Sequence, residues 1–136
     1  MKNITIDLNI ILDFLFKREG HEKAAELLKY CANNKAKGYL CAHEITTLSY
    51  FLEKNVKDRN KIKKTISRIM KRYEIIEINK NILNNALLSE INDFEDAVIV
   101  ESSKLNDIDY IITKNTKHFN KSTIKTLTPE EFIALK

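Results

Sequence analysis

The sequence predicts an α/β fold: a three-layer α/β/α domain built around a mostly parallel sheet. Three observations carry this. Short apolar runs alternate with longer stretches of helical period along all 136 residues, the pattern left by successive βαβ units. Tyr110, Ile111 and Ile112 form a continuous apolar run, as a strand covered on both faces requires. Neither a repeat nor a low-complexity linker divides the chain, so residues 1–136 read as a single domain with one core.

Each element has its own signal. Ile4-Thr5-Ile6-Asp7 reads as a short strand ending on an acid. Ile10, Ile11, Phe14 and Leu15 then recur at helical spacing, and Gly20 is expected to end that helix. A second helix, from about His21 to Asn33, turns Ala24, Ala25, Leu27, Leu28 and Cys31 inward. Gly38-Tyr39-Leu40-Cys41 is a second strand, and His43 to Lys54 a helix with Ile45, Leu48, Phe51 and Leu52 inward. A fourth helix, from about Asp58 to Arg72, repeats Ile62, Ile66, Ile69 and Tyr73. Ile75, Ile76 and Ile78 mark a third strand, and Ile82 to Glu90 a helix. Asp93 is placed to cap the next helix, whose apolar side is Ala97, Val98, Val100 and Leu105. Tyr110 to Thr113 gives the fourth strand and Ile124 to Leu127 the fifth. Thr128-Pro129 opens a closing helix, with proline at its first position.

Composition narrows the function classes. The net charge of +4 permits a polyanionic partner without demanding one. Cys31 and Cys41 lack metal-type spacing, so both are expected as reduced, buried thiols. The chain begins directly on a strand, so no targeting segment is expected, and no apolar run approaches the ~18 residues of a membrane span. A cytoplasmic protein away from the membrane is the expectation.

Four carboxylates stand out by position. Asp7 ends the first strand, Glu44 lies just past the second, and Asp93 and Asp96 open the helix before the fourth. Each alone has a structural explanation: Asp7 and Asp93 as helix caps, Glu44 and Asp96 as first-turn acids. Capping does not explain the grouping. In a doubly wound sheet the ends of strands one, two and four face one crevice. Like charges gathered there cost stability unless a cation neutralises them. Oxygen ligands without His or Cys point to Mg²⁺ or Mn²⁺. Such ions activate water and brace attack at phosphorus, with no need of a histidine or serine nucleophile.

Asp7-Leu-Asn9 after an apolar strand, Glu44 in a helix, Asp93-Phe-Glu-Asp96-Ala, and Ile-Ile-Thr113-Lys-Asn115 followed by Phe119 together resemble the PIN-domain ribonucleases. The resemblance covers the whole chain in order. It implies a metal-dependent endonuclease acting on single-stranded or structured RNA. Small prokaryotic members are often toxins of VapBC-type toxin–antitoxin pairs, so it also implies a homodimer and a cognate antitoxin. Carried over by position, Asp7, Glu44 and Asp96 match the principal catalytic and metal-binding acids, and Asp93 matches an acid found in part of the family. Asn115 falls where many members have a fourth aspartate, so its amide brings a ligand oxygen but no charge. Asn9 and Thr113 match supporting polar positions.

Between Lys54 and Arg72 nine bases stand against one acid, Asp58. This is either a solvated outer face or a phosphate-tracking surface beside the crevice, with Lys61, Lys64 and Arg68 as RNA contacts. Aromatic residues fall mostly on apolar stripes, so no stacking platform is expected. Two other functions compete with the nuclease. One is a non-catalytic nucleic-acid-binding module with a degenerate metal site, motivated by Asn115. The other is a phosphoryl-transfer domain of another α/β type. Its dehalogenase-like phosphatase form would need an acid where Asn9 stands.

Overall fold

The first strand, β1 (Lys2–Ile6), occupies the middle of the sheet in the computed structural model, which describes residues 1–135. The chain continues as α1 (Leu8–Phe16), α2 (His21–Ala32), β2 (Ala36–Cys41), α3 (Ala42–Asn55), α4 (Arg59–Arg72) and β3 (Glu74–Ile76). It then forms α5 (Lys80–Leu88), α6 (Phe94–Ser103), β4 (Tyr110–Ile112), a 3₁₀ turn (Thr116–Phe119), β5 (Thr126–Leu127) and α7 (Pro129–Ile133). The sheet order is β3-β2-β1-β4-β5 and every described pairing is parallel. The order reverses between β1 and β4, and that switch point opens a crevice at the carboxyl ends of the strands.

Helices cover both faces. One face packs Ile4, Ile6, Leu40 and Ile112 against Ile10 and Leu12 of α1, Leu27 of α2, Leu48 of α3 and Phe132 of α7. The other packs Cys41, Ile76 and Ile111 against Ile82 and Ala86 of α5 and Ala97, Val98 and Val100 of α6. Two-sided burial explains the unbroken apolar run of β4, and in β1 the one polar inward residue, Thr5, is hydrogen-bonded to the Ser103 hydroxyl. Cys31 and Cys41 are buried and free.

Three features differ from the sequence reading. Lys17, not Gly20, ends α1: it takes the left-handed conformation (φ 49°) and donates its N–H to Asp13. Gly20 (φ 88°) instead starts α2, where a side chain would be strained. Leu105 lies past the end of α6 in a turn and is 66% exposed, because the helix stops before the hydrophobic spacing does.

No residue of α4 is fully buried. Its stripe of Ile62, Ile66 and Ile69 rests partly buried against the face of the core that α1, α2 and α3 cover. At its end, Tyr73 covers Gly38: a Cβ there would meet the ring at 2.7 Å. Only glycine at this position lets the end of α4 come down onto the sheet.

Candidate functional site

The carboxyl ends of β1 and β4 sit side by side. Thr5 aligns with Ile111 and Ile6 with Ile112, and the Asp7 N–H extends the pairing to the Ile112 carbonyl at 2.9 Å. This brings the Thr113 hydroxyl against Asp7, donating to Oδ2 at 2.7 Å. Asp7 also caps α1, its Oδ1 accepting the Asn9 N–H at 3.3 Å. Burial pushes the Asp7 carboxyl above the ordinary carboxylate range. The Thr113 and Asn9 hydrogen bonds pull it back, and the charge of Asp93 pushes it further up.

Glu44 enters from the first turn of α3. Its Oε1 accepts the Cys41 N–H at 2.8 Å, while Oε2 is buried with no hydrogen-bond partner. Burial, then the charge of Asp7, raises its pKa well above the usual value, against the pull of backbone N–H groups at Cys41 and Leu8. Asp93 and Asp96 come from the start of α6. Asp93 caps it, its Oδ1 accepting the Asp96 N–H at 3.0 Å. The Asp96 carboxyl is pushed up to about 7 by burial first, then by Asp93, Asp7 and Glu95.

These residues line one cleft of about 640 Å³. Five carboxylates face it (Asp7, Glu44, Asp93, Glu95 and Asp96) and, among the described residues, no Lys or Arg does. Asn9 and the exposed Asn115 also line it, and the Asn115 N–H donates to Thr113 Oγ1 at 3.2 Å. Thr113 itself is fully buried behind Asp7. Among the described residues, no three His, Cys, Asp or Glu side chains have drawn together into a metal cage. The carboxylates line the same cleft without forming such a cluster.

The basic residues lie elsewhere. Lys61, Lys64 and Arg68 are exposed on α4, and none lines the cleft. Ile62 and Ile66 face α3, bordering a groove with Ser49 and Glu53, while Arg68 and Ile69 nearer the end of α4 border a second groove of about 790 Å³ with Phe14, Leu15 and Leu28.

Sequence reasoning passed over Glu95, Tyr50 and Asp13, and read His118 only as a surface residue. Glu95 and the exposed His118 line the cleft, as does Tyr50, which is 53% exposed. Asp13 is 1% exposed, and its Oδ2 pairs with Lys114 Nζ at 2.8 Å, while Oδ1 has no partner. Asp13 carried a signal: it is the lone acid in the otherwise apolar run Ile10 to Phe16. His43, beside Glu44 in sequence, does not line the cleft; burial lowers its pKa.

Comparison with known proteins fits this architecture. No curated protein matches in sequence. A toxin–antitoxin complex from Klebsiella pneumoniae contains a chain similar over 93% of this one and 97% of its own length, with 21% identity and a TM-score of 0.68. VapBC2 from Rickettsia felis, bound to a promoter DNA fragment, is similar over 93% and 98%, with 15% identity and a TM-score of 0.72. VapC20 from Mycobacterium tuberculosis, described as a sarcin-ricin loop cleaving toxin, is similar over 90% and 98%, with 11% identity and a TM-score of 0.66. At these identities the likeness is one of fold. Residues 3–117 match the PIN domain, and on that match the chain belongs to the PIN domain family.

Proposed function

We propose that this chain is a metal-dependent endoribonuclease that hydrolyses RNA phosphodiester bonds, the toxin of a VapBC-type pair. The observation that carries this is the cleft at the switch point: mutually repelling carboxylates, Asp7 and Glu44 buried among them, with no Lys or Arg among the described lining residues. Membership of the PIN family, and neighbours described as VapBC complexes and as a sarcin-ricin loop cleaving toxin, support the same reading.

The donor set fits Mg²⁺ or Mn²⁺. It is all oxygen, and Glu44 Oε2 is buried with nothing to bond. Asp7, Glu44 and Asp96 would hold the ion, with Asp93 and Asn115 at the rim. A bound ion would supply activated water and offset charge developing at phosphorus. The chain's own residues prepare the acids. Thr113 fixes Asp7 through Oδ2, and the Cys41 N–H fixes Glu44 through Oε1, leaving Oε2 free. Asn9 and Thr113 act as supports.

RNA would be drawn in from a distance by the exposed bases of α4, outside the cleft. The toxin would work as a homodimer held inactive by a cognate antitoxin. Asn115 favours a second reading, a non-catalytic nucleic-acid-binding module, because the fourth corner of the cleft lacks charge. Purified protein incubated with varied RNAs and Mn²⁺ separates the two: cleavage that a chelator abolishes supports the nuclease. RNA bound but intact with Mn²⁺ present would leave the binding module. Changing Lys61, Lys64 and Arg68 together to Gln should lower the salt dependence of RNA binding, by up to about three units of log–log slope, without unfolding the chain. An unchanged slope would make α4 a solvated face only.

A further inference from the structure

The helix that supplies Glu44 carries a second feature on its cleft side. Tyr50 and Phe51 line the cleft together with Glu44, although the sequence pattern offered no stacking platform. Phe51 is half-buried and packs against the core, with the Arg18 guanidinium 5.7 Å from its ring centre. Tyr50 stands edge-on to Phe51, with centroids 5.6 Å apart and planes at 76°. Phe51 thus braces Tyr50 while half of the tyrosine remains in solvent. Lys54, one turn further along α3, sets Nζ 4.6 Å from the Tyr50 ring centre, and among the described residues no carboxylate pairs with it.

A supported flat ring with a flexible cationic side chain over one face, at the edge of an acidic cleft, matches a nucleotide in two respects once that side chain swings onto a phosphate. The base offers a face for the ring, and the phosphate offers a charge for the ammonium. The helical rise puts Tyr50 about 9 Å along the axis from Glu44. A base flanking a bond cut at the acids would lie at that remove. Resting on the ribonuclease reading above, we propose that Tyr50 stacks an unpaired base next to the scissile phosphodiester and that Lys54 takes a neighbouring phosphate. Every base has a π face, so the platform selects unpaired nucleotides over paired ones rather than one base over another.

The chain has no tryptophan, so Tyr50→Trp introduces a single fluorescent reporter. The parent for the test is Asp96→Asn with Mg²⁺ present, to suppress cleavage. The probes are a labelled single-stranded oligoribonucleotide and the same sequence as a duplex. Tyr50→Leu should weaken single-strand binding about tenfold and leave duplex binding unchanged. Tyr50→Phe should bind as the parent does, and the indole emission of Tyr50→Trp should be quenched by the single strand alone. Unchanged single-strand affinity in Tyr50→Leu, or equal losses for both probes, overturns the proposal while leaving the nuclease reading standing. If Tyr50→Leu converts a dimer to a monomer in sedimentation without changing RNA affinity, the ring belongs to a contact between copies and the proposal falls. If the parent binds neither probe, the RNA-directed reading falls with it.

Discussion

Asp7 and Asp13 lie six residues apart, one capping α1 and the other within it, and both are buried. They meet opposite surroundings. Asp13 has a cation: Lys114 reaches it from just past β4 at 2.8 Å. Asp7 has Glu44, Asp93 and Asp96 around its cleft and a hydroxyl from Thr113, not an ion pair, at hydrogen-bond distance. A buried carboxylate by itself therefore says little about chemistry. One is part of the fold's internal wiring, tying α1 to the end of β4. The other belongs to a group short of positive charge, and the proposed metal site rests on that deficit.

The sharpest way to break that contrast is kinetic. Asp7→Asn or Asp96→Asn should reduce Mn²⁺-dependent cleavage by more than the ~100-fold upper range of changes behind a ligand. Asp13→Asn should stay below that range, within about tenfold. Single-turnover cleavage of one RNA by all three variants measures this. Equal losses would erase the distinction between the two acids.

Stability should run the other way. Lys114→Met strands the Asp13 charge in the core and should cost about 1–3 kcal/mol, below the usual figure for a buried pair because Lys114 is partly exposed. Asp96→Asn should leave the metal-free protein as stable or slightly more stable, since it removes a repelling charge. Urea unfolding in chelator tests both. A destabilised Asp96→Asn would make Asp96 chiefly a helix-start residue.

A smaller effect appears on titration. Asp96 takes up its proton at about pH 7 when folded, against an ordinary value of 3.8. Asp7 and Glu44 are shifted in the same direction. Between those limits the folded chain holds more protons than the unfolded one, so stability rises as pH falls. The melting temperature of metal-free protein should therefore drop from about pH 5 to about pH 8. Mn²⁺ should raise it most at the alkaline end, where the acids are charged and free to bind. A flat profile in chelator would mean that the acids are too far apart or too solvated to feel one another.

The smallest effect concerns Asn115. Asn115→Asp adds a charge at the rim of the cleft, so it should tighten Mn²⁺ binding several-fold and slightly lower the metal-free melting temperature. Calorimetric titration and melting curves would have to show both changes, because both follow from nearness to the other acids. If neither moved, Asn115 would lie outside the electrostatic reach of the cleft.

The fold was readable from sequence because its strands are buried on both faces, so Tyr110, Ile111 and Ile112 form an apolar run and Ile4 and Ile6 are separated only by Thr5. Asp7, Glu44 and Asp93 were readable because strand ends and helix starts are local events. The path of α4 was not local. Lys61, Lys64 and Arg68 look like a surface beside the crevice until α4 is seen to pack along α3 with none of them lining the cleft. Tyr50 was hidden for a related reason. It neighbours an inward-facing Phe51, and periodicity alone does not say which of two adjacent aromatics meets solvent. The Asp13–Lys114 pair joins residues far apart in the chain, a partnership that no spacing rule exposes.

The acids of the cleft sit at the amino ends of three helices: Asp7 on α1, Glu44 on α3, Asp93 and Asp96 on α6. Each helix start carries roughly half a positive unit charge, so the backbone already offsets part of the repulsion among them. The caps themselves do not require aspartate, since asparagine caps a helix about as well. Asp7→Asn and Asp93→Asn would therefore each keep a helix start intact while removing a charge from the cleft. On the proposed nuclease reading, the scaffold and the chemistry are separable one amide at a time.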